Sequence, residues 1–212
     1  MTFTTPTTAD RSRPFRSNRL LQGLAAVYAI AWLVLAIAPS DRGDWALENI
    51  LTVAGVAALL WSYRRLQLSD LSYLLIALFL LLHAVGAHYT YAQVPIGDWM
   101  KDAFGLSRNH YDRVVHFAFG LLLAYPIREV LLRAGGIRPR WSTVLAAFIV
   151  MACSDTFEIL ESWVGQIVSP ELGQAYLGTQ GDVWDAQKDS TAATAGAWLA
   201  MAATSLLPRP SR

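Results

Sequence analysis

Six apolar stretches, each close to twenty residues long, restrict this chain to very few kinds of fold. They lie near 20–38, 45–63, 71–89, 111–132, 142–162 and 187–207. A helix needs about 20 apolar residues to cross the roughly 30 Å hydrocarbon core of a bilayer. Lipid offers no partner for free backbone polar groups, and a helix satisfies these groups within one segment. The pattern therefore predicts an all-α membrane protein, a bundle of about six transmembrane helices.

Composition supports a chain whose main partner is the lipid bilayer. Hydrophobic residues make up 54% of the chain and charged residues 16%, whereas a soluble domain has about 25% charged residues. The net charge is +1, so no basic surface predicts a nucleic-acid partner. The one cysteine, Cys153, falls inside an apolar stretch, and we expect a buried structural thiol there.

The first nineteen residues are polar and basic, and we expect residues 1–19 to form a disordered cytoplasmic tail. The next segment resembles a signal peptide that ends Ala36, Ile37, Ala38. Its apolar run is longer than a signal core, and Pro39 directly after the small residues disfavours cleavage. We therefore predict one uncleaved six-helix domain over 20–207, followed by a short cytoplasmic tail over 208–212.

The distribution of basic residues predicts that both termini face the cytoplasm. With the N-terminus inside, the inner segments hold twelve Lys and Arg residues and the outer segments hold five. Inner loops of membrane proteins are enriched in these residues. Two long connections, 90–110 and 163–186, then lie outside, and both are rich in Gly, Asp and aromatic residues. Their tryptophans and tyrosines predict packing at the membrane interface.

Polar residues gather at the predicted outer ends of several spans. Asp112 and His116 lie four residues apart, which places them on one helical face. Two further acidic stripes follow, Asp155, Glu158 and Glu161 in the fifth span and Asp182, Asp185 and Asp189 at the entry of the sixth. His83, His88, Glu48 and Asn49 lie at the same predicted level. At least four spans are therefore expected to converge on one pocket. Ionisable groups are costly at bilayer depth unless they are paired, hydrated or bound to an ion.

One hypothesis for this cluster is a metal or acid–base site of an envelope enzyme. The candidate catalytic residues are Asp112, His116, Glu158, Asp185 and Asp189. The candidate metal ligands are His116, Glu158, Asp182, Asp185 and Asp189, and oxygen-rich sets of this kind suit divalent cations. The candidate substrate-binding residues are Arg108, Arg113, Lys188 and His88. The expected cofactor is a divalent cation, and the expected substrate is a lipid-linked or phosphate-containing molecule of the envelope.

Two other hypotheses remain open from the residues alone. The cluster is also compatible with a non-enzymatic cation or solute binder or transporter, although the inner halves of the spans are almost wholly apolar. In the third hypothesis, Arg113 and Lys188 pair with the carboxylates, so that the cluster holds the helices together while the outer loops dock a partner protein.

Four long segments resemble a known family. They are HYTYAQVP from His88, LSRNHYDRVVHF from Leu106, EILESW from Glu158 and LGTQGDVWDAQKD from Leu177. They are similar to the bacterial inner-membrane family typified by YjdF, over about residues 28–200. This resemblance implies an inner-membrane location and assigns no activity.

A remoter resemblance is to the VanZ-like family, which is linked to glycopeptide resistance and the cell envelope. The matching residues are Asp112 with His116, Glu158, and Asp185 with Asp189 ahead of Gly196. Asp189 stands where that family usually has Asn, which makes the predicted site more acidic.

Overall fold

The computed structural model describes residues 13–206, and within this range every regular element is helical. After a 3₁₀ turn over Phe15–Ser17 come eight α-helices: α1 (Arg19–Leu35), α2 (Arg42–Ser62), α3 (Asp70–His88), α4 (Pro95–Phe104), α5 (Tyr111–Arg133), α6 (Pro139–Ile167), α7 (Pro170–Leu177) and α8 (Asp185–Leu206). The predicted tail over 208–212 and the first twelve residues of the predicted disordered tail lie outside the described residues.

The six long helices overlap the six predicted spans. Four of them, α2, α3, α5 and α6, are long and apolar enough to cross a membrane. The apolar helix α1 has 17 residues and is slightly short of that length. The class of all-α membrane protein is thereby confirmed, while the number of spans and the orientation of the termini stay predictions.

Exposed side chains match a lipid environment. Large apolar residues on α1 and α2 lie outward, for example Ile30 and Leu60. All the exposed tryptophans of the described residues except Trp198 fall at the ends of the bundle: Trp61 and Trp141 at one end, and Trp99, Trp163 and Trp184 at the other. Tryptophan is enriched at the two interfaces of a bilayer, so these two levels mark the two membrane surfaces.

Helix starts follow local capping chemistry. The side chains of Asn18, Asp41 and Ser69 each accept a hydrogen bond from a backbone N–H in the first turn of α1, α2 and α3. Such caps satisfy donors that a helix leaves free at its start. Ser69 and Ser72 also donate to the Glu129 carboxylate, at 2.8 and 2.5 Å, which ties the start of α3 to the far end of α5.

Each of the two long connections contains a short helix that the sequence analysis did not predict. Helix α4 begins with Pro95 and ends before Gly105, and α7 begins with Pro170 and ends before Gly178. Both glycines have the positive φ that ends many helices. Helix α7 packs against α6 and α2, so the second connection closes over one end of the bundle.

Helices α5 and α8 form the most extensive contact between helices, and two glycines allow it. A Cβ added at Gly120 would collide with the backbone of Ala193, and one added at Gly196 would collide with the backbone of Phe117. Close approach of backbones at small residues is the usual way that helices associate within lipid. The contact buries the small residues of α8 around Ala193, Ala197 and Gly196.

Substitution of Gly196 by Ala is expected to destabilise the bundle because the added methyl group overlaps the α5 backbone. We expect a loss of about 1–3 kcal/mol in the free energy of unfolding, measured by denaturant titration in detergent micelles. The matched control is Gly23→Ala in α1, where a Cβ meets no atom within 4 Å. This control is expected to leave stability unchanged or to raise it by up to about 1 kcal/mol. Equal losses in both variants would contradict the close contact.

Candidate functional site

Three helices bring their polar ends together at one end of the bundle. Asp112 and His116 lie in the first two turns of α5, Glu158 lies nine residues before the end of α6, and Asp185 and Asp189 lie in the first two turns of α8. The packing of α5 against both α6 and α8 fixes these ends relative to one another. We call these five side chains the polar cluster. They are the five candidate catalytic residues named from the sequence.

Three carboxylates of the polar cluster lie close enough to share one cation. One carboxylate oxygen each of Asp112, Asp185 and Asp189 lies within 4.8 Å of the other two. Asp185 and Asp189 are buried, at 5% and 2% exposure, and Asp112 is partly buried. Asp189 Oδ1 accepts no hydrogen bond from the described residues. Oxygen ligands of this type suit Mg²⁺, Ca²⁺ and Mn²⁺.

His116 lies beside two carboxylates, both near its Nε2. Its Nε2 lies 3.6 Å from Asp112 Oδ1 and 3.4 Å from Glu158 Oε1, and its Nδ1 lies 3.3 Å from Ser154 Oγ. Ser154 is four residues before Glu158 and therefore on the same face of α6. An imidazole held between carboxylates is suited to accept or donate a proton.

Arg108 holds the loop before α8 against the start of α5. Its guanidinium is 5% exposed and is paired with Asp185 through Nη1. The same group donates to the carbonyl oxygens of Thr179 and Gly178, at 2.8 and 3.2 Å. All these partners are groups of the protein itself. Arg108, which the sequence analysis named as a substrate-binding residue, is therefore engaged in structural contacts.

Arg113 makes a second set of ion pairs on the same side. Its Nη2 lies 2.5 Å from Asp182 Oδ2 and 3.1 Å from Asp185 Oδ1, and its Nε lies 3.6 Å from Asp189 Oδ1. Lys188 donates to Asp182 at 2.9 and 2.6 Å and is half exposed. Asp182, which the sequence placed among the metal ligands, is thus engaged by two basic side chains.

Acidic groups outnumber basic groups in this region. Five carboxylates, those of the polar cluster and of Asp182, face three basic side chains, Arg108, Arg113 and Lys188. With all groups ionised and His116 neutral, two negative charges remain. Buried charge without a partner is costly, and a divalent cation would balance this excess.

Two predicted members of the site lie elsewhere. The Nδ1 of His88 is 2.7 Å from the Leu35 carbonyl oxygen, at the junction of α3 with α1, and the ring stacks edge-on against Tyr89. Asp155 is exposed on the outward face of α6. The structure therefore brings Glu158, but not Asp155, to the polar cluster.

A cavity of about 500 Å³ adjoins the polar cluster through Asp112 and His116. Helices α2, α3, α5 and α6 supply its walls, with Tyr91 and Tyr176 at the same end as the cluster. His83 lines it too, and its ring nitrogens contact the Glu48 carbonyl oxygen at 3.2 Å and the Tyr91 hydroxyl at 2.5 Å. The expectation of a buried Cys153 is wrong, because this residue is exposed and lines the cavity.

Sequence reasoning missed the residues that brace the site from the loops. Asn109 is 2% exposed, donates to the Val94 carbonyl oxygen and to Asp98, and accepts from the Tyr111 N–H. Gln180 bonds to both the N–H and the carbonyl oxygen of Asn109. The pair joins the two long connections. Asn109 and Gln180 lie in the segments LSRNHYDRVVHF and LGTQGDVWDAQKD, but neither segment reveals a pairing across 71 positions.

Replacement of Arg108 by Met is expected to cost about 3–5 kcal/mol in the free energy of unfolding, because it leaves Asp185 buried without its counter-charge. The matched control is Lys188→Met, which removes a half-exposed ion pair and is expected to cost about 1 kcal/mol or less. Denaturant titration in detergent micelles measures both. Losses of similar size would show that the buried Arg108–Asp185 pair stabilises the fold no more than the half-exposed Lys188–Asp182 pair does.

Asp182 is expected to make stability depend on pH at the acidic end. Lys188, the Trp184 N–H and Arg113 hold the pKa of Asp182 well below its ordinary value of 3.8. Its contribution is therefore present above about pH 4 and is lost as pH falls through the lower folded pKa. Melting temperatures of wild type and Asp182→Asn between pH 6 and pH 2 provide the measurement. The two proteins are expected to differ at pH 6 and to converge at the lowest pH, and a constant difference would refute this.

Comparison with known proteins places the chain in a family. The family described as "Predicted membrane protein (DUF2238)" matches residues 20–209. The chain is 35% identical over 179 residues to the protein named "Inner membrane protein YjdF" of Escherichia coli (strain K12), which covers 84% of this chain and 85% of that protein. No solved structure matches. The likeness to the VanZ-like family stays a prediction. With its apolar helices, the chain is a multi-pass protein of the inner membrane and belongs to the DUF2238 family of membrane proteins.

Proposed function

We propose that this protein is a cation-dependent membrane enzyme that acts on a lipid-linked or phosphate-containing substrate of the envelope. One observation carries the proposal. Three carboxylates, two of them fully buried, converge within 4.8 Å beside a histidine that faces a large cavity. The excess of negative charge in the same region supports a bound cation in place of a fully self-paired network.

The residues divide into two groups by their contacts. Asp112, Asp185 and Asp189 are the proposed ligands, because their oxygens already lie together. Arg108 and Asp182 are assigned to the structural network, since their hydrogen bonds are made within the protein. The proposed ligand set differs from the one expected from the sequence, because Asp112 joins Asp185 and Asp189 in place of His116, Glu158 and Asp182. With Arg108 held in structural contacts, the cation would bind a phosphate or carbonyl oxygen of the substrate.

The proposed chemistry is activation of water for attack on an ester of the substrate. A divalent cation at such a site lowers the pKa of water and polarises the oxygen under attack. His116 would take up a proton from water held at such a cation, because its Nε2 lies 3.6 Å from Oδ1 of the proposed ligand Asp112. Ser154 orients the ring from the other nitrogen at 3.3 Å. Glu158 then stabilises the protonated imidazole during the reaction.

Cation binding is the first prediction of this proposal. The protein is purified in mild detergent, stripped with EDTA and titrated with Mn²⁺, and bound Mn²⁺ is followed by electron paramagnetic resonance. We expect one Mn²⁺ per chain, with affinity at least about tenfold lower in Asp112→Asn/Asp189→Asn, since even residues that only support metal ligands change affinity by this factor. The control is Asp155→Asn, an exposed carboxylate at the same end of α6. Unchanged binding in the double variant would refute the site.

Turnover is measured separately. Mn²⁺-loaded wild type and His116→Gln are incubated with inner-membrane lipid extract in mixed micelles, and the lipids are compared by mass spectrometry. We expect a lipid ester to be consumed by wild type only, with Mn²⁺ retained in His116→Gln. If Mn²⁺ binds and no lipid changes, the enzymatic part of the proposal fails and a cation-binding protein remains.

A further inference from the structure

The cavity beside the polar cluster is long and has two different ends. Its lining on α5 runs from Asp112 to Val130, a length of about 27 Å at the helical rise of 1.5 Å per residue. Polar groups line the end near the cluster: Glu48, His83, Asp112, His116 and Glu161. Apolar side chains line the rest, among them Leu59, Ile76, Leu123 and Ile127. Its shape and lining fit a molecule with a polar head and a hydrocarbon tail.

The polar end of the cavity carries acidic side chains without a lysine or arginine partner. Three carboxylates line the cavity, and no Lys or Arg of the described residues does so. Arg108 and Arg113 lie on the side of Asp182 and Asp185, where their ion pairs occupy them. Glu48 is 5% exposed, and its Oε2 has no hydrogen-bond partner among the described residues. A buried acceptor of this kind, lining the cavity, calls for a positively charged or hydrogen-donating ligand.

The neighbouring polar side chains do not supply that partner. Both ring nitrogens of His83 are engaged, by the Glu48 carbonyl oxygen and by the Tyr91 hydroxyl. Burial raises the pKa of Tyr91, and the nearby Glu48 carboxylate raises it further, so Tyr91 stays a neutral phenol. The carboxylate of Glu48 is therefore left for a ligand.

The cavity is also reachable from the lipid. Among the described helices, α2 makes only sparse contacts, with α3 and α7, and does not pack closely against α5 or α6. Helix α2 nevertheless supplies one wall, through Glu48, Thr52 and Leu59, and α6 supplies the facing wall. Cys153 on α6 is exposed and lines the cavity, which places an opening at that side chain. A ligand with a hydrocarbon tail would enter sideways between α2 and α6.

We propose that this cavity binds a cationic amphiphile, whose amine or ammonium head lies at Glu48 and Glu161 and whose hydrocarbon tail lies along the apolar part of α5. The inference deepens the proposed function, because it assigns a substrate class to the same end of the bundle. It narrows that substrate to a lipid whose head carries a positive charge, with or without a phosphate. Binding of the amphiphile is measured on protein stripped of divalent metal ions. The result therefore does not depend on whether the metal site exists.

Cys153 supplies the assay, since it is the one cysteine in the sequence. The EDTA-stripped protein in a nonionic detergent reacts with a fluorescent maleimide in the presence of hexadecyltrimethylammonium, hexadecyl phosphate or hexadecyl maltoside at equal concentration below their micelle-forming range. We expect the ammonium compound to slow labelling at least about fivefold, and the phosphate and the maltoside to have little effect. Equal or stronger protection by hexadecyl phosphate would overturn the cationic head, and no protection by any compound would overturn the cavity as a lipid site.

Two variants test the two ends of the cavity. Glu48→Gln/Glu161→Gln is expected to weaken protection by the ammonium compound at least about tenfold, because loss of one partner of a buried charge pair is costly. Ile127→Trp fills the apolar end, and it is expected to abolish protection by the hexadecyl compound while a short-chain alkylammonium still protects. Asp155→Asn, on the exposed face of α6, is the control for both. If the double glutamine variant does not fold, the comparison of the three hexadecyl compounds on wild type still tests the cationic head. The Ile127→Trp variant still tests the position of the tail. Full protection in every variant would overturn the assignment.

Discussion

The close contact between α5 and α8 is the interaction on which the rest of the structure depends. Gly120 and Gly196 let the two backbones approach within van der Waals distance of each other, and this approach places Asp112 beside Asp185 and Asp189. With a larger residue at either glycine, the three carboxylates would separate. Packing of small residues between α5 and α8 thus determines how the carboxylates of the polar cluster are placed.

Charge burial is the second constraint, and it divides the polar end into two regions. On the side of α8, Arg108 and Arg113 bind carboxylates and hold both long connections in place. On the side of α2, carboxylates line a cavity that no Lys or Arg of the described residues lines. The first region is a rigid frame of paired charges. The second is the part of the molecule in which unpaired charge is available to a ligand, so binding is expected there.

Much of the fold follows from residue patterns, whereas the site depends on contacts that the patterns do not encode. Apolar runs of about twenty residues predict the long helices, and the spacing of Asp112 and His116 places both on one face. Helices α4 and α7 are too short and too mixed in character to stand out from a loop. The use of Arg108 for structure depends on the path of residues 178–185, which no local pattern specifies. Cys153 lies in an apolar run, yet it faces outward because the cavity opens beside it.

The polarity of α8 has a consequence for how the protein is made. This helix does not reach the apolarity of α2, α3, α5 and α6, and two buried carboxylates stand in its first two turns. A segment of this kind partitions poorly into lipid when it is alone. Its favourable surroundings are α5 and α6, which precede it in the chain and are synthesised first. If α8 is the predicted sixth span, we expect its insertion to follow that of α5 and α6 and to depend on their being already in place.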